Sequence, residues 1–226
     1  VFQMISLHDE LTFSNSDELS LTCDDPSIPT DETNLVLRAA RAVSAPPVAI
    51  ALRKRIPAGG GLGGGSSNAA AVLQKFGAGR DDLAELALAL GSDVPFFLVG
   101  GTAYATGRGE VLTQMPPMSG IPLLLVLPDE RVSTKEAFAR ITSYSPPLGI
   151  AAYRDFSNFH NDFEAPVFSL YPRLRTYKER LYAAGATWAA MSGSGSTIVG
   201  AFASAASRDE AARQFPDVRV ERCETM

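Results

Sequence analysis

Residues 57–68 read PAGGGLGGGSSN, with glycine at six of the seven positions from Gly59 to Gly65, broken by Leu62. Glycine loses the most conformational freedom on folding, so this run is expensive to order and needs a reason. Before it lies VAIAL (Val48 to Leu52), β-branched and apolar, which reads as a strand, and RKRIPA leads from that strand into the glycines. After it, SSNAAAVLQKF reads as a helix, with Ser66, Ser67 and Asn68 where an N-cap and first turn belong. A flexible linker or a close chain crossing is the bland alternative. Linkers are seldom placed between a strand and an alanine-rich helix, whereas consecutive glycines ahead of a helix let backbone N–H groups converge on one anion. The stretch therefore reads as a phosphate cradle.

Two familiar phosphate motifs are excluded. A Walker loop ends in Gly-Lys-Ser/Thr, and here Gly65 runs into Ser66 with no lysine. Gly59, Gly61 and Gly64 satisfy G-x-G-x-x-G, but RKRIPA separates them from the strand, and the acids about twenty residues on, Asp81 and Asp82, begin a helix.

The rest of the chain sets the frame. Its 226 residues are 46% hydrophobic and 20% charged, enough for one large or two small cores. A net charge of −5 and a pI near 5.1 argue against a nucleic-acid partner. Cys23 and Cys223 are far apart, and with two histidines a structural zinc site is not expected. A cytoplasmic protein with no membrane partner is expected. VFQMISL, DELTFS and LSLT read as strands, DETNLVLRAARAV as a helix, and DDLAELALAL as a helix facing the core with Leu83, Leu86, Ala87 and Leu90. GSDVPFFLVGGTAYATGRGEVL reads as a turn and short strands, with Asp93 in the turn. Pro116-Pro117 marks a lobe boundary, giving expected domains over 1–118 and 119–226. Beyond it come the strand IPLLLVL, a capping box at Ser133–Glu136 opening a helix, a helix over 170–183, a strand–loop–strand TWAAMSGSGSTIVGAFA and a late helix SRDEAARQF. The fold class expected is α+β.

Pro57 to Ala69 closely resembles the second motif of the GHMP kinases, Pro-x-Gly-Gly-Gly-Leu-Gly-Gly-Gly-Ser-Ser-Asn-Ala. MSGSGSTIVG resembles their third motif, and GSDVPFF, TNLVLRAAR, VSTKEAF and NDFE (Asn161 to Glu164) are similar to one branch of that family. The resemblance implies a two-lobed fold, with a first lobe like domain 2 of ribosomal protein S5 and a ferredoxin-like second lobe. It implies phosphoryl transfer from ATP with Mg2+ to the 2-hydroxyl of a cytidine diphosphate-linked methylerythritol, in non-mevalonate isoprenoid synthesis. A mevalonate- or homoserine-type kinase, or a degenerate nucleotide-binding protein, are the alternatives. The resemblance makes Asp93 the catalytic carboxylate, where a turn-forming or capping Asp is the plain reading. It places Gly59, Gly60, Gly61, Gly63, Gly64, Gly65, Ser66, Ser67, Pro57, Lys54 and Asn34 around the nucleotide. For Lys54 and Asn34 a solvated charge and a helix cap stand open. Phe138 would stack on cytosine, against the ordinary fate of a core aromatic, and Thr134, Gly193, Ser194 and Gly195 join it on the substrate side. No magnesium ligand is named. The family's first motif, a Pro-x-Lys-x-Asn strand followed by Gly-Tyr-His, is not found ahead of Phe2-Gln3. The expectation is that the true beginning lies before Val1. A monomer or weak dimer is expected.

Overall fold

The computed structural model describes residues 1–146, 148–154 and 158–226. They form two compact units. The first holds Val1–Met4, His8–Ala58 and Gly63–Pro116, and the second holds Ile5–Leu7, Gly59–Leu62 and Pro117–Met226.

In the first unit, β2 (Glu10–Asn15) and β3 (Ser20–Cys23) flank β4 (Val48–Arg53), antiparallel and parallel respectively. Val48, Ile50 and Leu52 alternate inward along β4, the period-2 pattern that makes VAIAL a strand. Between β3 and β4 the chain crosses over through α1 (Leu35–Ala42), which buries Val36, Leu37, Ala39 and Ala40. Helices α2 (Gly64–Gly77), α3 (Leu83–Leu90) and α4 (Val94–Val99) follow. A second sheet, ordered β1-β5-β6, joins β1 (Phe2–Gln3), β5 (Thr102–Thr106) and β6 (Val111–Gln114). Val36, Ile50, Val72, Leu73 and Val94 are fully buried and centre the core. Each contributes about 1.5–3 kcal/mol on leaving water.

Two local expectations are corrected. VPFFLV is helix α4, not strand: Asp93 takes the N-cap position and Pro95 sits in the first turn, where its missing N–H has no partner to lose. Helix α2 begins at Gly64, not at the serines. Gly63 is its N-cap at φ +68°, a left-handed conformation suited to glycine, and an added Cβ there would lie 2.7 Å from the Phe97 ring.

The second unit carries β7 (Pro122–Leu127), α5 (Thr134–Ala139), a 3₁₀ turn (Ile150–Arg154), α6 (Glu164–Leu170), α7 (Pro172–Ala183), β8 (Trp188–Met191), β9 (Ile198–Ala201), α8 (Ala205–Ala212) and β10 (Arg219–Glu224). Its antiparallel sheet is ordered β10-β7-β9-β8. Counted in chain order within the unit this is 4-1-3-2, the ferredoxin-like arrangement. Central β7 buries Leu123 through Leu127, and its Leu124 and Val126 pack in the core with Val167, Leu174, Leu181 and Ile198 among others. The helix expected over 170–183 starts at Pro172, because the residue before a proline is pushed out of the helical region. Tyr171 has φ −126° and ψ 75°, and α6 precedes it as a separate helix.

Candidate active site

In the first unit, the foot of the glycine loop is built on a buried carboxylate. Asp9 precedes β2, and its side chain is 0% exposed. It accepts hydrogen bonds from the Lys54 ammonium, from the backbone N–H groups of Arg55 and Ile56 at 2.8 Å each, and from the Asn68 amide at 2.9 Å. Burial alone pushes the Asp9 pKa up, but these donors together hold it below the ordinary 3.8. Lys54 is 7% exposed, so it is not a solvated surface charge. Asn68, expected beside the cap, instead turns inward to Asp9, and Ser67 donates to the Gly64 carbonyl at 2.8 Å. Helix α2 carries no side-chain cap at Gly63. Its first N–H groups, over Gly64, Gly65 and Ser66, therefore present the donors a helix start leaves over. Gly65 is exposed, and Ser66 and Pro57 are half-buried.

Asn34 is a helix cap, as one of its two readings has it. Its Oδ1 accepts from the Val36 N–H at 2.9 Å, and its amide donates to the Pro29 carbonyl at 2.6 Å.

Asp93 is positioned differently from Asp9. It occupies the N-cap site of α4 but makes no side-chain capping bond. Val94 and Phe96 anchor the helix in the core, and Phe96 packs on Phe2 and Phe97 with ring centroids 5.1 and 5.2 Å apart. The residue is exposed, yet protein close around the carboxyl desolvates it and raises its pKa above 3.8. A carboxylate that is accessible, rigidly mounted and inclined to take a proton suits a general base.

The second unit gathers the tip of the first glycine loop with the second loop. The Ser192 hydroxyl donates to the Gly61 carbonyl at 2.8 Å, and the Thr197 N–H to that of Gly60 at 3.2 Å. At Gly61, φ is +74°, and an added Cβ would sit 2.1 Å from the Ser192 carbonyl oxygen, so the crossing requires glycine. Gly193, Ser194 and Gly195 form the turn, with the Gly195 N–H donating to the Ser192 carbonyl at 2.9 Å. Asn161 braces it: its amide donates to the carbonyls of Met191 and Gly193, both at 2.7 Å. Glu164 accepts from the Met191 N–H at 2.8 Å and from Lys178 at 2.6 Å. On α5, the Thr134 and Ser194 hydroxyls are 2.9 Å apart. Phe138 is 54% exposed and meets Phe163 edge-on at 4.8 Å, so it is not a core aromatic. Ser133 caps α5 from the expected position, but Glu136 pairs with Arg140 instead of completing the box.

The structure thus brings Lys54 and Gly64 together in one unit, and Gly60, Gly61, Gly193, Thr134 and Ser194 in the other. Asp9 was not anticipated, since its partners lie 45 to 59 residues away along the chain. Asn161 and Glu164 were visible as the stretch NDFE, without a role.

Comparison with known proteins agrees with this geometry. Residues 34–101 match the model of the GHMP kinases N terminal domain, and residues 147–219 that of the GHMP kinases C terminal domain. The chain is 40% identical to 4-diphosphocytidyl-2-C-methyl-D-erythritol kinase of Chlorobium phaeobacteroides strain BS1, over 95% of this chain and 84% of that protein. It is 38% identical to the kinase of the same name from Prosthecochloris aestuarii, with the same coverage. A crystal structure of 4-(cytidine 5'-diphospho)-2C-methyl-D-erythritol kinase superposes with a TM-score of 0.84 at 33% identity, covering 98% of this chain and 87% of that one. A homoserine kinase from Cytophaga hutchinsonii shares the fold alone, with a TM-score of 0.69 at 18% identity, covering 99% of this chain and 88% of that one. This chain belongs to the GHMP kinase family.

Proposed function

We propose that this chain is a 4-diphosphocytidyl-2-C-methyl-D-erythritol kinase, transferring the γ-phosphoryl group of ATP to the 2-hydroxyl of its alcohol in isoprenoid precursor synthesis. The observation that carries the reading is 40% identity to a kinase of that name over 95% of the chain. The start of α2, with Pro57, Gly59 to Gly61 and Gly63 to Ser67, receives the triphosphate, because helix N–H groups and the helix dipole favour an anion there. Lys54 and Asn34 border the nucleotide. Thr134, Phe138, Gly193, Ser194 and Gly195 serve the alcohol, with the exposed Phe138 ring offering a face for cytosine.

Phosphoryl transfer is governed by positioning and charge neutralisation. Asp93 orients the attacking hydroxyl and takes its proton as the bond to phosphorus forms. Among the described residues no group of three or more His, Cys, Asp or Glu converges on one point. Magnesium, if bound with the triphosphate, would supply neutralisation of the charge developing on the transferred group. The proposed setting is the cytoplasm, and among the described residues no helix is long and apolar enough to cross a membrane.

The test is a coupled ADP-release assay of the full chain with ATP and, in turn, the cytidyl alcohol, mevalonate and homoserine. Turnover with the cytidyl alcohol alone is expected. Preference for either other alcohol, or none accepted while ATP binds, would overturn the reading.

A further inference from the structure

We infer that Asp9 is a positioning residue for the glycine loop, acting through Lys54 and Asn68 to set the affinity for ATP. The inference rests on the nucleotide role proposed above for that loop. Between Ile56 and Asn68 the chain consists of the loop and the first turn of α2, and both ends are tied to the same carboxylate. On the incoming side Asp9 holds the ammonium of Lys54 and the N–H groups of Arg55 and Ile56. On the outgoing side it holds the amide of Asn68, which is 5% exposed. One buried anion therefore closes a glycine-rich segment that would otherwise lose much entropy each time it is ordered around a ligand. Pre-ordering of this kind strengthens binding without adding any contact to the ligand.

The arrangement also decides what the Lys54 charge does. An added Cβ on Gly64 would lie 3.2 Å from the Lys54 ammonium nitrogen, so the cation presses against the first residue of α2. A lone cation there would oppose the positive end of the helix dipole. Asp9 neutralises it, so the helix start keeps its own attraction for anions. Lys54 is then a strut under the loop, with its charge already paired from below.

The experiment compares the unaltered chain with Asp9→Asn and Asn68→Ala. ATP affinity is measured by calorimetry, with kcat and the KM values for ATP and alcohol, at a temperature where thermal melts show all forms folded. Asn68→Ala leaves the ion pair in place and removes one donor, so it carries the test should Asp9→Asn not fold. Both variants are expected to weaken ATP binding and raise its KM about tenfold or more. In Asn68→Ala the KM for the alcohol should stay within about twofold. Folded variants with unchanged ATP affinity would reduce Asp9 to a structural pair and overturn the inference. Failure of the parent chain to phosphorylate any alcohol, with ATP affinity still falling in the variants, would strike the proposed function and leave this inference standing.

Discussion

The first unit holds two aspartates in opposite surroundings, one at the foot of the glycine loop and one at the start of α4. Asp9 is closed off from water and receives four hydrogen bonds, which overcome burial and keep it ionised. Asp93 is accessible, makes no capping bond, and has its pKa raised by desolvation. The same side chain is thus committed in one place and poised in the other. A carboxylate with every lone pair engaged has little left to offer a substrate hydroxyl, whereas one held by its backbone alone can accept a proton. The donors around each group, more than its residue type, divide structure from chemistry here.

The sharpest way to break that contrast is to neutralise the poised group. Asp93→Asn should lower kcat by about 10²–10⁴-fold while ATP affinity and the melting temperature hold. Single-turnover assays beside a thermal melt would read both, and an active variant would end the assignment of Asp93 as the base. The same group sets a pH signature. With its pKa above 3.8, Asp93 is protonated at pH values where an ordinary aspartate has already ionised. The acid limb of kcat/KM should therefore lie above the 3.8 of an ordinary aspartate, and a limb at or below 3.8 would contradict it.

Neutralising the committed group acts on stability instead. Asp9→Asn leaves a cation buried without its partner, which should lower unfolding free energy by about 3–5 kcal/mol in denaturant melts. Because the Asp9 pKa is depressed in the folded state, its contribution is present above 3.8 and fades as pH falls from there through the folded value. The parent should lose stability in that acid window, and Asp9→Asn should show a flatter profile. Asp93 works in the reverse sense: its raised pKa makes folding less favourable as pH climbs from 3.8 through the folded value. Equal acid sensitivity of parent and Asp9→Asn would show that the committed carboxylate is not what the acid removes.

These two groups also mark how far the sequence could be read. β4, α2 and β7 were legible because apolar periodicity and glycine placement are local signals, spread over a few residues, whereas the ferredoxin-like order of the second sheet was implied only by the family resemblance. VAIAL alternates, IPLLLVL is a buried central strand, and PAGGGLGGGSSN announces a helix start. Helix α4 was not legible, because Val, Phe and Phe favour strands, and the deciding features are Asp93 in the cap position and Pro95 in the first turn. Asp93 itself was found through a motif. Asp9 lies in a polar stretch with nothing around it to announce burial, and its role exists only once β2, β4 and α2 are assembled. Pairings between distant residues leave no period in a single sequence.

The second glycine loop gives the mildest form of the contrast, since a neutral amide braces it. Asn161 donates to the Met191 and Gly193 carbonyls, and Glu164 and Lys178 beside it remain 15% and 24% exposed. Asn161→Ala removes three hydrogen bonds, the two to the turn and one that its Oδ1 accepts from the Phe163 N–H at 3.0 Å, without stranding a charge, and the freed carbonyls can recover water at this partly open site. The loss should be about 1–2 kcal/mol in denaturant melts, below that of Asp9→Asn. Its larger effect should be local, in faster amide exchange over 192–195, because the turn would lose its Asn161 brace and keep only its bonds through Ser192, Ser194, Gly195 and Thr197. Were Asn161→Ala to destabilise the chain as much as Asp9→Asn, with exchange over the turn unchanged, buried charge would not be what separates the two loops. Their different sensitivity would then need another origin, in the packing of each unit.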